Sequence, residues 1–316
     1  MHGHVLVRSV RCQRFGDERR SARIDFESKK AAVLQDGRRA PDDHAGCRQS
    51  LIAAKQRERR LPVPNGGGQL LELGERDVRR IRDEHTDSQT CEGSEQRAVQ
   101  KLDRHAEIIA PSHPGFGHSA RPDGFDTVYD LVHLYLDVLE ALPHDKVTLV
   151  GLSFGGWLAA EVAVKCGHRL DRLVLVDALG IKVSGRETPD ILDLFNTSPQ
   201  EVQRRSWHDP SVWAPDFDAM SDDQIVVRAR NWETLCLYGW HPYMYNPQLR
   251  YWLRRISVPT LVLWGESDRI VSPSYGEAYS RAIPGSRFEL IERAGHHPEI
   301  EQPEAFVQRV AAFASR

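Results

Sequence analysis

A serine set between glycines, Gly151-Leu152-Ser153-Phe154-Gly155-Gly156, constrains this chain more than any other feature. An apolar run, Val147-Thr148-Leu149-Val150, leads into it, and a helix-compatible run, Trp157-Leu158-Ala159-Ala160-Glu161-Val162, leads out. Gly-x-Ser-x-Gly between a strand and a helix is a sharp, strained turn that lifts the serine hydroxyl clear of the sheet. Space demands the glycines, because a side chain on either flank of Ser153 would collide with neighbouring backbone. The spacing alone is common, and the strand and helix around it make it specific.

A serine is a poor nucleophile until a base takes its proton, so Ser153 needs partners. Thr260-Leu261-Val262-Leu263-Trp264 reads as a buried strand and runs into Gly265-Glu266-Ser267-Asp268, a loop with an acid at its tip. Arg287-Phe288-Glu289-Leu290-Ile291 reads as the next strand and runs into Ala294-Gly295-His296-His297-Pro298. Both candidates follow the carboxyl end of a strand, the edge where open α/β sheets hold their ligands. Further strands are expected over 106–110, 146–150 and 172–177, with helices from a cap at Asp126 to about Leu142 and from Phe154 to Cys166. Strands alternating with helices predict a parallel sheet covered on both faces.

These pieces, with Pro114-Gly115-Phe116-Gly117-His118-Ser119 and the glutamate–proline ending in Glu301-Gln302-Pro303, make residues 105–316 resemble the α/β-hydrolase superfamily. The resemblance is to its branch of capped serine esterases and carbon–carbon bond hydrolases. It implies an α/β-hydrolase fold with a mostly parallel sheet flanked by helices. The core would be 105–179 with 253–316, and 180–252 would be an inserted helical cap. It implies a triad of nucleophile Ser153, base His296 and orienting acid Asp268, in the chain order Ser, Asp, His. Placement of the base directly after Ala-Gly selects His296 over His297. Asp177 ends an earlier strand where some members keep their acid, and its ordinary role would be a cap or loop hydrogen bond. The backbone N–H of Phe154 would be one oxyanion donor, and an early strand ending in a His-Gly loop should supply the other. Dehalogenases and epoxide hydrolases of this fold carry aspartate at the turn, which Ser153 excludes.

The segment 180–252 is rich in Trp and Tyr and lacks a Val/Ile-rich strand. Most of these aromatics are expected to form the cap's own core. Leu152, Trp207, Trp232 and His297 are the candidate pocket residues. An aromatic-rich cap implies an apolar or aromatic small molecule as substrate.

Residues 1–104 are of another character. They are net basic while the remainder is net acidic, and Phe15 and Phe26 are their only aromatics. Such a stretch has little to bury against its backbone entropy and is expected to be poorly ordered. A charged helix is expected over 70–81. Asn65-Gly66-Gly67-Gly68 is the nearest imitation of the oxyanion loop, with His2-Gly3 behind it. A segment foreign to the native hydrolase, such as a shifted frame rejoining near Leu102-Asp103-Arg104-His105, would explain basicity, missing aromatics and missing loop together. The alternative function is therefore a ligand-binding or catalytically impaired homologue with an incomplete oxyanion hole.

A net charge of -3 suggests no polyanion partner, and the Arg-rich opening lacks aromatics to stack on bases. Five scattered cysteines without a CxxC pair imply neither a disulfide framework nor a zinc site and suit a cytoplasmic home. No metal or cofactor is expected. No apolar stretch reaches the ~18 residues of a membrane span, and the opening lacks a signal-peptide core. A homo-oligomer is compatible with all of this.

Overall fold

The computed structural model describes residues 5–9, 98, 100–103, 106–185 and 187–315. Asn65–Gly68, His2-Gly3 and the helix expected over 70–81 lie outside these residues.

Six strands form one sheet: β1 Val5–Ser9, β2 Glu107–Ile109, β3 Val147–Leu152, β4 Leu170–Val176, β5 Thr260–Gly265 and β6 Arg287–Ile291. Their spatial order is β2-β1-β3-β4-β5-β6, with β3 to β6 parallel and β1 antiparallel to both neighbours. This is the α/β-hydrolase sheet, mostly parallel and flanked by helices.

Residues alternate between two cores, as a strand period of two requires. Leu149, Leu173, Leu175, Val262 and Trp264 face one apolar cluster, and Val150, Val174, Val176, Leu261 and Leu263 face the other. Both faces are covered, so β3 and β5 are buried at every position. On the first face lie α1 Val128–Ala141, α2 Phe154–Cys166 and α7 Pro273–Ala282. Against the second pack Phe306, Val307, Val310 and Phe313 of α9 Pro303–Ala314, with Ala98 and Leu102. Each fully buried Leu or Val contributes about 1.5–3 kcal/mol. Among the described residues of the first 104, β1 pairs into the sheet, and Ala98 and Leu102 pack in the second cluster.

One helix start differs from expectation. Thr127, not Asp126, caps α1, and Asp130 closes a capping box with it. Asp126 instead pairs with Arg121 at 2.7 Å. A box satisfies two terminal N–H groups reciprocally, which a lone aspartate one residue earlier does not.

Residues 180–252 carry α3 Pro199–Ser206, α4 Pro210–Trp213, α5 Asp222–Gly239 and α6 Leu249–Trp252. The short α8 Pro298–Glu301 follows the histidine loop. Among the described residues, no helix is long and apolar enough to cross a membrane.

Candidate active site

Ser153 sits between β3 and α2 with φ 51° and ψ −116°, a conformation few non-glycine residues adopt. The turn is closed by its neighbours. A Cβ on Gly151 would lie 2.3 Å from the Gly155 carbonyl oxygen, and one on Gly156 would lie 2.5 Å from the Ala178 Cβ. The Ser153 N–H donates to Val176 at 2.8 Å, which ties the turn to the end of β4. Phe154 opens α2, so its N–H has no helical carbonyl to meet.

The loops after β5 and after β6 converge on this serine. Ser153 Oγ lies 2.7 Å from His296 Nε2, and His296 Nδ1 lies 2.7 Å from Asp268 Oδ2. All three side chains are buried. Asp268 Oδ1 accepts the N–H groups of Ile270 and Val271 at 2.8 and 3.1 Å, so this carboxylate is held from both ends.

Asp177 stands beside the set. It follows β4 at φ 45° and accepts the Gly265 N–H at 2.9 Å. One ligand atom from each of Asp177, Asp268 and His296 lies within 4.8 Å of the others. Burial, and then the Asp268 charge, holds the Asp177 carboxyl well above the usual carboxylate range. A second grouping of metal-ligand type, Glu140, Cys166 and His168, lies at the far end of α1 and α2. Its thiol is pushed up by burial, and Arg169 stands beside it.

The pocket candidates separate. His297 lies against the site, its ring 5.4 Å from His296, and the Trp207 ring is 4.7 Å from His297. Trp232 instead sets its ring against Phe195, and Leu152 packs in the core cluster with Val150 and Val176. Leu152 shares this side with Val150, two residues earlier, as the strand alternation at the end of β3 requires.

Two contacts escaped sequence reasoning. Helix α5 is stitched to the loop after β2. Asn231 accepts the Gly117 N–H at 2.6 Å, Thr234 donates to the Gly115 carbonyl at 2.9 Å, and Tyr238 donates to the Pro114 carbonyl at 3.2 Å. The Tyr238 ring also stacks on Phe116 and Phe154, and burial pushes its hydroxyl up to about 12. The second is Glu301. Its carboxylate accepts the N–H groups of Gly295, His208 and Asp209, while the His296 N–H donates to the Ser206 carbonyl at 2.7 Å. One carboxylate therefore ties the residues after α3 to the histidine loop. The sequence signal was the acid five residues after His296, just before Gln302-Pro303. Glu301→Gln turns an NH2 toward backbone donors and leaves one unpaired, for an expected loss of about 1–3 kcal/mol. A lower Tm with reduced kcat is expected, and a variant unchanged in both would show that Glu301 does not hold this loop.

Among known proteins, the alpha/beta hydrolase family model matches residues 95–309. The chain is 30% identical over 228 residues to a 2-hydroxy-6-oxo-2,4-heptadienoate hydrolase of Pseudomonas putida, covering 68% of this chain and 80% of that one. It is 26% identical over 225 residues to a pimeloyl-[acyl-carrier protein] methyl ester esterase of Aeromonas salmonicida, covering 68% and 87%. Its fold matches the crystal structure of a serine hydrolase involved in carbazole degradation, with a TM-score of 0.57 and 25% identity over 71% of this chain and 85% of that one. On the family match and these relatives, all of them hydrolases or esterases, the chain belongs to the alpha/beta hydrolase family.

Proposed function

We propose that this enzyme hydrolyses a carbon–carbon bond beside a ketone in a small, largely apolar keto acid. Ser153 is the nucleophile, His296 the base and then the acid, and Asp268 the group that orients His296. The observation that carries this reading is the unbroken relay Ser153–His296–Asp268, both links at 2.7 Å. Support for the substrate class comes from the names of relatives. They act on 2-hydroxy-6-oxo-2,4-heptadienoate, 2-hydroxymuconate semialdehyde and 2-hydroxy-6-oxo-6-(2'-aminophenyl)hexa-2,4-dienoic acid.

Ser153 Oγ adds to the ketone carbon as His296 Nε2 takes its proton. The oxyanion is met by the Phe154 N–H and the amino end of α2. The 2-oxo tautomer, whose departing carbon is a CH2, is the form that can be cleaved: collapse breaks the carbon–carbon bond, and its electron pair passes through the conjugated enone to the 2-oxo oxygen. His296 returns the proton to that enolate oxygen, leaving an acyl group on Ser153. Water activated by His296 then releases the acid and restores the serine. An early strand ending in a loop is expected to supply the second oxyanion donor. β1 runs antiparallel, and its residue Val5, not its carboxyl end, lies opposite Gly151. Loss of one donor typically costs about 10²–10³ in turnover, so a slow enzyme is expected if the hole is incomplete.

The esterase relative favours a second reading, ester hydrolysis by the same residues. A 2-hydroxy-6-oxo-dienoate and a p-nitrophenyl ester offered in parallel separate the two. Higher kcat/KM on the dienoate is expected, and turnover of the ester alone would replace the first reading by the second. No turnover of either, and no labelling by a fluorophosphonate, would leave a binding protein.

We further propose that residues 180–252 cap the site and set substrate choice. Trp207, its ring tilted against His297, is the residue to test. Trp207→Phe is expected to shift the preference between small and bulky 6-substituents by about tenfold, the scale of one pocket contact. An unchanged ratio would make Trp207 ordinary core.

A further inference from the structure

The relay of Ser153, His296 and Asp268 leaves Asp177 without a task. The residue is 1% exposed and immobilised by its own backbone, whose N–H donates to Leu263 at 3.1 Å. Its Oδ1 accepts the Gly265 N–H, while its Oδ2 is sealed from solvent, meets no donor among the described residues and faces the Asp268 carboxylate. A bare carboxylate oxygen in that position is costly. The groups facing it raise the cost. Asp268 comes from the loop after β5 and Glu299 from α8, and the His296 imidazole stands beside both aspartates. His296 is already shared between Ser153 and Asp268, and His297 lies 3.3 Å from Glu299. The two aspartates are not equivalent. Asp268 collects two backbone N–H groups and His296, as an anion should, whereas Asp177 collects one N–H.

We propose that Asp177 is a positioning residue of the triad and works as a neutral carboxylic acid, its Oδ2 proton donated to the Asp268 carboxylate. That proton gives the orphaned oxygen a partner and replaces repulsion between two carboxylates by a hydrogen bond. It also fixes the Asp268 carboxylate for His296. Asp177 keeps its proton throughout the cycle, and the proton that moves is the one from Ser153 to His296. Burial and the neighbouring charge push the Asp177 carboxyl upward, in agreement with this state.

The inference rests on the triad reading, and fluorophosphonate labelling of Ser153 as a function of pH tests the two separately. Asp177→Ala removes the donor and is expected to slow labelling about tenfold or more, the scale lost when an outer hydrogen-bond partner of a site residue is removed. Asp177→Asn keeps an acceptor for Gly265 and a donor toward Asp268, so it is expected to recover most of that loss. Its acid limb, set by His296, should stay within about 0.3 unit of wild type, because one neutral group replaces another. An anionic Asp177 would instead support the imidazolium, and Asn would then move the limb down by about one unit or more. Such a shift, or no recovery by Asn over Ala, overturns the proposal. Wild-type protein that does not label at Ser153 overturns the triad reading instead.

Two readouts do not depend on activity. Infrared spectra at neutral pH should show the carbonyl stretch of a protonated carboxyl that disappears in Asp177→Asn, and its absence from wild type overturns the proposal. The stability profile has a defined sign. With the folded value raised above the unfolded one, stabilisation by Asp177 is present at acid pH and lost as pH rises toward the folded value. Asp177→Asn lacks this loss, so its Tm should gain on wild type between acid and neutral pH. The opposite slope overturns the proposal.

Discussion

Ser153→Ala is expected to lower kcat by about 10⁴–10⁶ while leaving the fold in place, the range found when a triad nucleophile is removed. The relay is a single device, so Ser153→Ala/His296→Ala should be no worse than either single variant. His297→Ala should keep most activity, because His297 meets Glu299 and Trp207 rather than Ser153. A dead His297→Ala beside an active His296→Ala would exchange their roles. Stability provides an independent check. The serine is held at φ 51°, which stores about 1–3 kcal/mol of strain. Alanine keeps that strain, whereas Ser153→Gly relieves it and should match or exceed the wild-type Tm while being equally inactive. Substantial hydrolysis by purified Ser153→Ala would remove Ser153 from the mechanism.

Gly265→Ala is expected to be the most damaging added methyl group among the described glycines. A Cβ there would stand 1.8 Å from the Gly295 carbonyl oxygen and 2.8 Å from that of Ala294. Both obstacles are backbone, so no side chain can swing aside. The contact is where the acid loop meets the histidine loop. Ser267 donates to Ala294 at 2.8 Å and Glu266 to Ile291 at 3.0 Å across the same seam. Forcing it apart separates Asp268 from His296 and withdraws the Gly265 N–H from Asp177. The expected loss is about 4 kcal/mol or more, in the range reserved for gross steric conflict, together with loss of activity. Gly285→Ala is the control. Gly285 has φ 70° with open space around it, so that change should cost only about 1 kcal/mol. Equal Tm losses at the two positions would show that the seam yields.

Much of the scaffold was legible without coordinates. The runs at 147–150, 260–264 and 287–291 became β3, β5 and β6, and the helix from Phe154 to Cys166 has those bounds. Local pattern suffices for β3 and β5, because a strand buried on both faces can tolerate little but apolar side chains. The order Ser, Asp, His at three carboxyl ends was legible for the same reason, since a parallel sheet puts all such ends on one edge.

What sequence could not supply was partnership between groups distant along the chain. Nothing near Asp177 announces that its carboxyl will face Asp268, or that Gly265 will lie against Gly295. Glu301 reads as a helix-start acid until three backbone N–H groups from two segments meet on it. Nor did Val5-Leu6-Val7, one short apolar run in a basic segment, reveal that it would enter the sheet antiparallel between β2 and β3. The sequence by itself determined the strands, helices and chemistry-bearing loops, because those follow from short-range periodicity and steric demand. Only the tertiary structure decided which buried polar groups meet and which strand fills the gap beside β3. Those outcomes depend on desolvation and backbone contact between segments that no local pattern encodes.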